Sequence, residues 1–304
     1  MTNLTNNLTR RGFGLSLIAG IGTLSVSGKA AWAAGDGGSF AAVLHKVGLA
    51  EEQVVITQRV PMCAGFIKLN VEPSRFLVNI AEAADTFERV NVGLRTGDAE
   101  LELVKEENGE ILEALSAVEA VWPAMKASVD RIVANEFVDD SDYDTLARSS
   151  SALLFMCENV EKRLVSVYGD STKKLGALIS VELAARQEML TQKMGKEVTN
   201  IALGFKADEN RKILGETIDL YENSLQAMLG GVKELTLPPP PEHIRLALLE
   251  EKSRWSDLGP ILRGIADGGE AGLLELYSIA SQEEALLEAA QHIEHMYEVH
   301  GASS

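Results

Sequence analysis

The sequence predicts an all-α fold of two tandem antiparallel four-helix bundles that are related by internal duplication. Three observations predict it. Apolar residues recur at helical spacing, turn residues divide the chain into eight segments, and the second half repeats the first. Alternation typical of strands is absent from the sequence. The predicted bundles occupy residues 40–170 and 174–301, after a leading segment at residues 1–33.

The leading segment resembles a twin-arginine export signal. Arg10 and Arg11 precede an apolar, glycine-containing stretch at residues 13–26. This stretch is shorter than the roughly 20 residues that span a bilayer, and residues 31–33 (Ala-Trp-Ala) provide the small residues that a signal peptidase requires. We therefore expect cleavage after Ala33 and a periplasmic location. A cytoplasmic protein with a basic terminus is the alternative.

The charge of the chain excludes several kinds of partner. After cleavage it would carry 25 basic and 45 acidic residues, a formal charge of −20. Such an excess opposes binding to nucleic acid and to anionic membranes. We find no glycine-rich phosphate loop, no nucleophile motif and no haem, iron–sulfur or molybdenum ligand set in the sequence. We therefore expect neither enzymatic activity nor a cofactor.

Cysteine and histidine indicate neither a bridge nor a dedicated metal site. An exported protein can form a disulfide, but the predicted helices do not place Cys63 level with Cys157. Three histidines lie near the C-terminus: His292, His295 and His300. Their acidic neighbours lack the Glu-x-x-His spacing of di-iron bundles, so we expect no bound metal.

The repeat holds its register at an offset of 134 residues. Without a gap, residues 49–103 align with residues 183–237. Identical pairs include Leu49/Leu183, Gln53/Gln187, Thr57/Thr191, Gln58/Gln192 and Gly97/Gly231. Arg59 and Lys193 are a pair of similar residues at the same offset. Further along the chain the offset becomes 133, which aligns Trp122 with Trp255. A frame kept over this distance indicates a duplicated domain.

Each copy is predicted to contain four helices joined by short turns, which favours an up-down bundle. The predicted helices are 40–70, 74–97, 109–135 and 141–168 in copy one, and 174–205, 208–229, 241–267 and 270–300 in copy two. Ser74 and Asp208 are expected as N-caps, and Pro241 as a first helical residue. We expect Pro61 to kink its helix and Pro260 to interrupt its own. Trp122 and Trp255 are expected to anchor the two cores.

The first helix of each copy carries a glutamine on its apolar seam. In copy two Gln187 interrupts a stripe of Leu, Met, Val, Ile and Phe, and Gln53 has the same place in copy one. A buried amide left unpaired costs about 1–3 kcal/mol. Each glutamine must therefore contact polar partners, either in a network that fixes helix register or in a polar ligand pocket.

A second face of the same helix is cationic in copy two, with Arg186, Lys193 and Lys196. Three acids stand close by: Glu182, Glu188 and Glu197. We therefore expect a solvated, salt-bridged face. Arg59 of copy one differs because its neighbours on that face are apolar, and a planar guanidinium there would bind a carboxylate or a small oxyanion.

The stretch AARQEMLTQKM at residues 184–194 resembles a known signature helix, AGRQRMLSQRM. That helix belongs to the N-terminal sensor domain of type IV pilus methyl-accepting chemotaxis transducers (PilJ-type). It is related to the corresponding helix of the nitrate/nitrite sensor kinases (NarX-like), and residues 50–60 form a divergent copy of it. The resemblance covers about 55 residues in each copy. It implies a periplasmic four-helix bundle and, in the nitrate sensors, an oxyanion held by arginines of facing first helices.

The ligand-reading arginine of the nitrate sensors corresponds here to Glu188, and to Val54 in copy one. The later basic position remains, as Lys193 and Arg59. The resemblance and the polar seam together suggest seven ligand-binding side chains: Arg59, Lys193, Arg186, Gln53, Gln187, Gln58 and Gln192. The family is normally tethered to a membrane helix and a signalling module, neither of which the sequence shows.

We therefore expect an exported, non-enzymatic, sensor-like protein that binds a small ligand, for which the resemblance suggests an oxyanion such as nitrate or nitrite. The alternative is a periplasmic adaptor or structural protein that docks onto a membrane-bound transducer or enzyme complex. A metal- or cofactor-dependent enzyme is a distant third. The sequence leaves the ligand, the oligomeric state and the partner open.

Overall fold

The computed structural model describes residues 40–168, 172–232 and 237–303, and within them the chain forms eight α-helices. The helices are α1 (Phe40–Lys68), α2 (Pro73–Thr96), α3 (Gly109–Asn135), α4 (Asp140–Tyr168), α5 (Thr172–Ala202), α6 (Ala207–Gly230), α7 (Glu242–Ala266) and α8 (Leu273–Ser303). The predicted all-α bundle fold is confirmed. The predicted signal segment lies outside the described residues. Among the helices described, none is apolar over a length that would cross a bilayer.

Each group of four consecutive helices closes on itself. α1 packs against α2 and α4, and α3 packs against both of these; α5, α6, α7 and α8 repeat the arrangement. The short connections make consecutive helices antiparallel. Trp122 stacks on Phe87 with ring centroids 4.0 Å apart, and Trp255 lies on Tyr221 at 4.3 Å. Both tryptophans are buried, so the prediction that they anchor the two cores is confirmed.

Backbone features recur at the repeat offset. Glu72 and Lys206 precede α2 and α6 with φ of 43° and 47°, and Gly97 and Gly231 follow these helices with φ of 82° and 70°. An isolated antiparallel bridge follows each glycine: Asp98 with Leu103, and Val232 with Leu237. These matching positions support the duplication that the sequence predicts.

Three predictions at helix starts are wrong by one or two residues. Glu72 and Lys206 occupy the N-cap positions, so Ser74 and Asp208 lie inside the first turns. Pro241 is an N-cap, and α7 begins one residue later. Differences of one or two residues are the extent by which helix ends ordinarily fray, and neither Glu72 nor Lys206 makes a side-chain cap hydrogen bond.

Proline does not break α7. Pro260 was expected to interrupt the helix, but α7 runs unbroken from Glu242 to Ala266. α1 likewise continues through Pro61. Most helical stability in a folded protein comes from packing of the apolar face, and buried Leu258 and Leu262 hold the turns on both sides of Pro260 against the core.

The two bundles meet side by side along α1 and α5, which run parallel. The contacts advance in the same direction on both helices, from Gln58 beside Lys196 to Gly65 beside Thr199. Gly65 permits this approach, since a Cβ there would lie 2.5 Å from the Cβ of Thr199. Gly65 and Thr199 are separated by the repeat offset. Equivalent positions that face each other place a pseudo-two-fold axis between the helices.

Candidate functional site

The cationic face of α5 is largely covered by protein. Lys196 is 7% exposed, and Glu188 and Glu197 are also buried. The expectation that this face is solvated is therefore wrong, whereas its expected salt bridges are present, Arg186 with Glu182 and Lys193 with Glu197. The reason is tertiary: α5 packs against α1 as well as against α6 and α8 of its own bundle, and the periodicity of one helix does not reveal a neighbour from the other half of the chain.

Polar groups meet where α1 crosses α5. The Lys196 Nζ donates to Gln58 Oε1 at 2.6 Å, and Gln58 Nε2 donates to Thr57 Oγ1 at 2.9 Å. Burial lowers the pKa of Lys196 to about 8, although Glu197 opposes the shift. Gln58 is thus a polar contact between the two halves.

Gln192 points from α5 to α8, where its amide donates to the buried Glu283 carboxylate. Burial and then Glu284 raise the pKa of Glu283 to about 7, while Arg59 lowers it. Arg59 lies 3.9 Å from a carboxylate oxygen of Glu284. The carboxylate that the sequence suggested as a partner for Arg59 is therefore supplied by α8.

Lys193 faces a different part of the molecule. Its Nζ donates to Glu197 Oε1 at 2.5 Å and to Thr217 Oγ1 of α6 at 2.6 Å. Burial raises the pKa of Glu197, and Lys193 partly offsets this. Arg59 and Lys193, equivalent in the repeat, thus contact α8 and α6 respectively and do not form one cationic pocket.

Gln53 and Gln187 are fully buried in equivalent surroundings. Gln53 Nε2 donates to the Phe87 backbone carbonyl at 3.3 Å. Gln187 donates to the Ser224 hydroxyl, which has two carbonyl acceptors within reach, Leu220 at 2.8 Å and Tyr221 at 3.1 Å. Tyr221 is the repeat equivalent of Phe87, so both glutamines tie the first helix of a bundle to its second helix at the same level. This contact is what the register-fixing interpretation of these glutamines requires.

Arg186 lies in a cleft between α1, α4 and α5, which we term the arginine cleft. Its lining is Glu51, Val54, Glu158, Glu161, Glu182, Ala185, Arg186 and Met189. The Arg186 guanidinium donates to Glu182 Oε1 at 3.0 Å. The cleft has an accessible volume of about 10 Å³. This is about the space that one water molecule needs. Two lining atoms are buried without a hydrogen-bond partner, Glu51 Oε1 and Arg186 Nε.

Negative charge dominates this cleft. Burial raises the pKa of Glu51 well above its ordinary value, and Glu161 and Glu182 raise it further. Burial, followed by the charge of Glu182, raises the pKa of Glu161 to about 8, although Arg186 opposes this shift. One arginine therefore does not compensate the four carboxyl groups around it.

A second group of buried acids lies between α5, α8 and α1. We term it the acid-pair cleft and define it by Glu52, Glu188, Glu294 and Glu298. Glu188 and Glu294 hydrogen-bond to each other. Burial raises the pKa of Glu294 to about 7 and that of Glu188 well above its ordinary value. The Glu298 carboxylate packs directly against Gly48, where a Cβ would overlap Glu298 Oε1.

The two clefts differ at equivalent positions. Glu161 corresponds to Glu294 at an offset of 133, whereas Arg186 corresponds to Glu52 at 134. Sequence reasoning missed the acidic members Glu51 and Glu161, because acids beside an apolar seam usually face water. The correspondence of Glu161 with Glu294 in the repeat was the signal that could have identified them.

Comparison with known proteins supports the resemblance for copy two. The sequence model of the family described as PilJ, the type IV pili methyl-accepting chemotaxis transducer N-terminal domain, matches residues 172–274. This range contains α5, α6 and α7. Comparison with curated proteins and with solved structures gave no match.

Proposed function

We propose that the protein is an exported, non-enzymatic sensor-like module that binds a small ligand between its two parallel first helices. A second protein would convert occupancy into a signal. The proposal combines the family match over residues 172–274 with the polar character of the region where α1 and α5 meet. Export rests on the resemblance of residues 1–33 to a twin-arginine signal.

The observation that carries the proposal is the set of unpartnered polar atoms beside this region. A structural helix interface is best built from apolar side chains, since a buried polar group without a partner costs about 1–3 kcal/mol. Along α1 and α5, however, six side chains have a buried oxygen that lacks a protein partner: Glu51, Gln53, Gln187, Glu188, Gln192 and Glu197. At Glu51, a polar ligand would supply the contact that the carboxylate oxygen lacks.

The oxyanion class implied by the resemblance meets an electrostatic obstacle. Arg59, Lys193 and Arg186 each have a carboxylate within 4 Å. An incoming anion would have to displace or approach those carboxylates in a chain of strongly negative charge. Nitrate and nitrite therefore remain ligands to be tested, but the charge of the region does not favour them.

The adaptor alternative has one observation of its own. At the start of α8, Leu273 is 63% exposed, Leu274 is 84% exposed and Tyr277 is 45% exposed. Exposed apolar groups of this kind mark protein contacts when they form a patch. A docking role and ligand binding are compatible if occupancy of the clefts alters how α8 presents this surface.

Thermal melts of the secreted form with a charge-balanced panel test the proposal. The panel contains sodium nitrate, sodium nitrite, methylammonium chloride, glycine and sodium chloride at equal ionic strength. A ligand at 100 times its dissociation constant stabilises the folded state by about 2.7 kcal/mol, which raises the Tm of a domain of this size by about 5–10 °C. The adaptor role would replace ligand binding if two results are obtained together. The Tm is the same with every compound of the panel, and a pull-down recovers a membrane protein with the wild type but not with Leu274→Ser.

A further inference from the structure

We infer that the arginine cleft binds the head group of a small organic cation, a primary ammonium, through carboxylates of Glu51, Glu161 and Glu182. The inference rests on the proposed function, because it names the ligand class of a module already proposed to bind a small ligand. It departs from the oxyanion that the family resemblance suggests.

Charge in the cleft is the first argument. Four glutamates line it against one arginine. Lys162 lies at the outer edge, 3.4 Å from Glu158, so the fully ionised cluster still carries two uncompensated negative charges. Buried charges are stable when they are paired. A bound cation would pair them without any rearrangement of the three helices.

An unsatisfied acceptor is the second argument. Glu51 is 4% exposed, and its Oε1 has no hydrogen-bond partner. An unpartnered buried oxygen requires a donor from outside the protein. Glu51, Glu161 and Glu182 come from α1, α4 and α5 respectively, and all three line the cleft. A primary ammonium has three N–H donors, as many as there are carboxylates from these helices.

The spacing favours an ammonium ion over a metal ion. Among the described residues, no three acidic, histidine or cysteine side chains lie close enough together to hold a metal. Metal–oxygen bonds of about 2.0–2.6 Å draw ligands close together, whereas N–H···O hydrogen bonds of about 2.7–2.9 Å to a charged group connect carboxylates that stand further apart. The volume of about 10 Å³ has room for about one water-sized group, so it suits the ammonium head group itself, with Val54, Ala185 and Met189 as apolar neighbours.

Proton release follows from the same arrangement. Glu161 is faced by Glu182 and Arg186 on α5, by Glu51 on α1, and by Glu158 and Lys162 on its own helix. Without a ligand the cluster lowers its charge by retaining protons, which raises the pKa of Glu161 to about 8. A bound cation favours the ionised carboxylates. Affinity should therefore rise between pH 6.5 and pH 8.5, with release of protons on binding.

A matched pair of variants tests this inference with methylammonium chloride as the probe. Glu51→Gln removes the unpartnered carboxylate of the arginine cleft, and Glu188→Gln makes the same isosteric change in the acid-pair cleft. Both glutamates are about 4% exposed and have an unpartnered Oε1. We expect saturating methylammonium at pH 8 to raise the Tm of the wild type and of Glu188→Gln by about 5 °C, and that of Glu51→Gln by less than about 1 °C.

Tetramethylammonium, which has no N–H donor, and sodium at equal ionic strength should have no effect. Calorimetry in buffers of different ionisation enthalpy should report proton release for the wild type. If Glu51→Gln folds poorly, Glu182→Gln provides the same loss of binding from another helix. Equal stabilisation by sodium, or unchanged binding in Glu51→Gln, would overturn the inference.

These outcomes are separable from failure of the proposed function. Stabilisation by nitrate, nitrite or glycine, with no response to methylammonium, would reject the cation and retain a ligand-binding module. Stabilisation by calcium or magnesium in place of methylammonium would also reject it, in favour of a metal. No stabilisation by any compound would reject both proposals.

Discussion

The arginine cleft and the acid-pair cleft occupy equivalent positions beside α1 and α5, but they accommodate buried acids in different ways. In the arginine cleft, Arg186 neutralises part of the carboxylate cluster and Glu51 keeps a free acceptor. In the acid-pair cleft, Glu52 replaces that arginine, and Glu188 and Glu294 hydrogen-bond to each other. Helix pairs that match in the predicted repeat thus differ in their electrostatics.

The difference shows why a repeat need not contain two equal sites. Once α1 and α5 pack together, each side of the pseudo-two-fold axis can change its charge without altering the shared backbone. In the acid-pair cleft, Gly48 leaves room for the Glu298 carboxylate. In the arginine cleft, the position that matches Gly48 in the repeat is Glu182, which lines the cleft. We therefore expect ligand binding to one cleft and proton binding to the other.

Replacement of Arg186 should have the largest effect on this comparison. Arg186→Leu leaves a partly buried carboxylate cluster without its cation, and removal of one partner of a buried ion pair costs about 3–5 kcal/mol. Because Arg186 is 15% exposed, we expect a loss of about 3 kcal/mol at pH 8, measured by urea denaturation. The loss should be smaller at pH 5, where the carboxylates are protonated more readily.

Arg254→Leu is the matched control, because Arg254 pairs with Glu250 at the same four-residue spacing on an exposed face. An exposed pair contributes about 0–1 kcal/mol. Equal losses in the two variants, or a loss for Arg186→Leu that does not depend on pH, would show that Arg186 does not compensate the cleft.

The close contact between α1 and α5 should be sensitive to a single added methyl group. Gly65→Ala places a Cβ within 2.5 Å of the Thr199 side chain, so α1 and α5 must separate. Overpacking of this kind costs about 1–3 kcal/mol. Gly215→Ala in α6 is the control: a Cβ there meets no atom within 4 Å, and alanine is favoured over glycine within a helix by about 0.5–1 kcal/mol. If chemical denaturation finds Gly65→Ala as stable as the wild type, the close parallel contact is wrong.

Protonation of the acid-pair cleft should make the stability of the protein depend on pH. The pKa of Glu294 is raised from 4.5 to about 7, with Glu52, Glu188 and Glu298 as its acidic neighbours. The folded state therefore retains protons that the unfolded state has lost, so the free energy of unfolding falls as pH rises from about 4.5 to about 7. Each such group contributes at most about 1.4 kcal/mol per pH unit.

Glu188→Gln should flatten this dependence, because an amide cannot titrate and donates to an ionised Glu294. Denaturation midpoints of both proteins between pH 5 and pH 8 measure the difference. A variant that follows the wild-type profile throughout would indicate that other buried acids, such as Glu251 and Glu283, dominate the pH dependence.

The sequence predicts features that depend on one bundle more reliably than features that depend on two. The buried seam with Gln53 and Gln187, and the paired tryptophans, follow from helical spacing inside each copy. The burial of Lys196 and the cluster around Glu51 depend on which faces of α1 and α5 meet. That choice is set by close contacts such as Gly65 against Thr199, which periodicity within one helix does not encode.

The number of bound cations per chain tests the central claim most directly. Titration calorimetry of the wild-type protein with methylammonium chloride at pH 8 should give one site for each chain, since the Glu51 acceptor lines an open cleft, whereas Glu188 and Glu294 hydrogen-bond to each other. Two equal sites would contradict the difference assigned to the clefts. Saturation of no site would contradict the claim that unpartnered carboxylate in the arginine cleft marks a ligand.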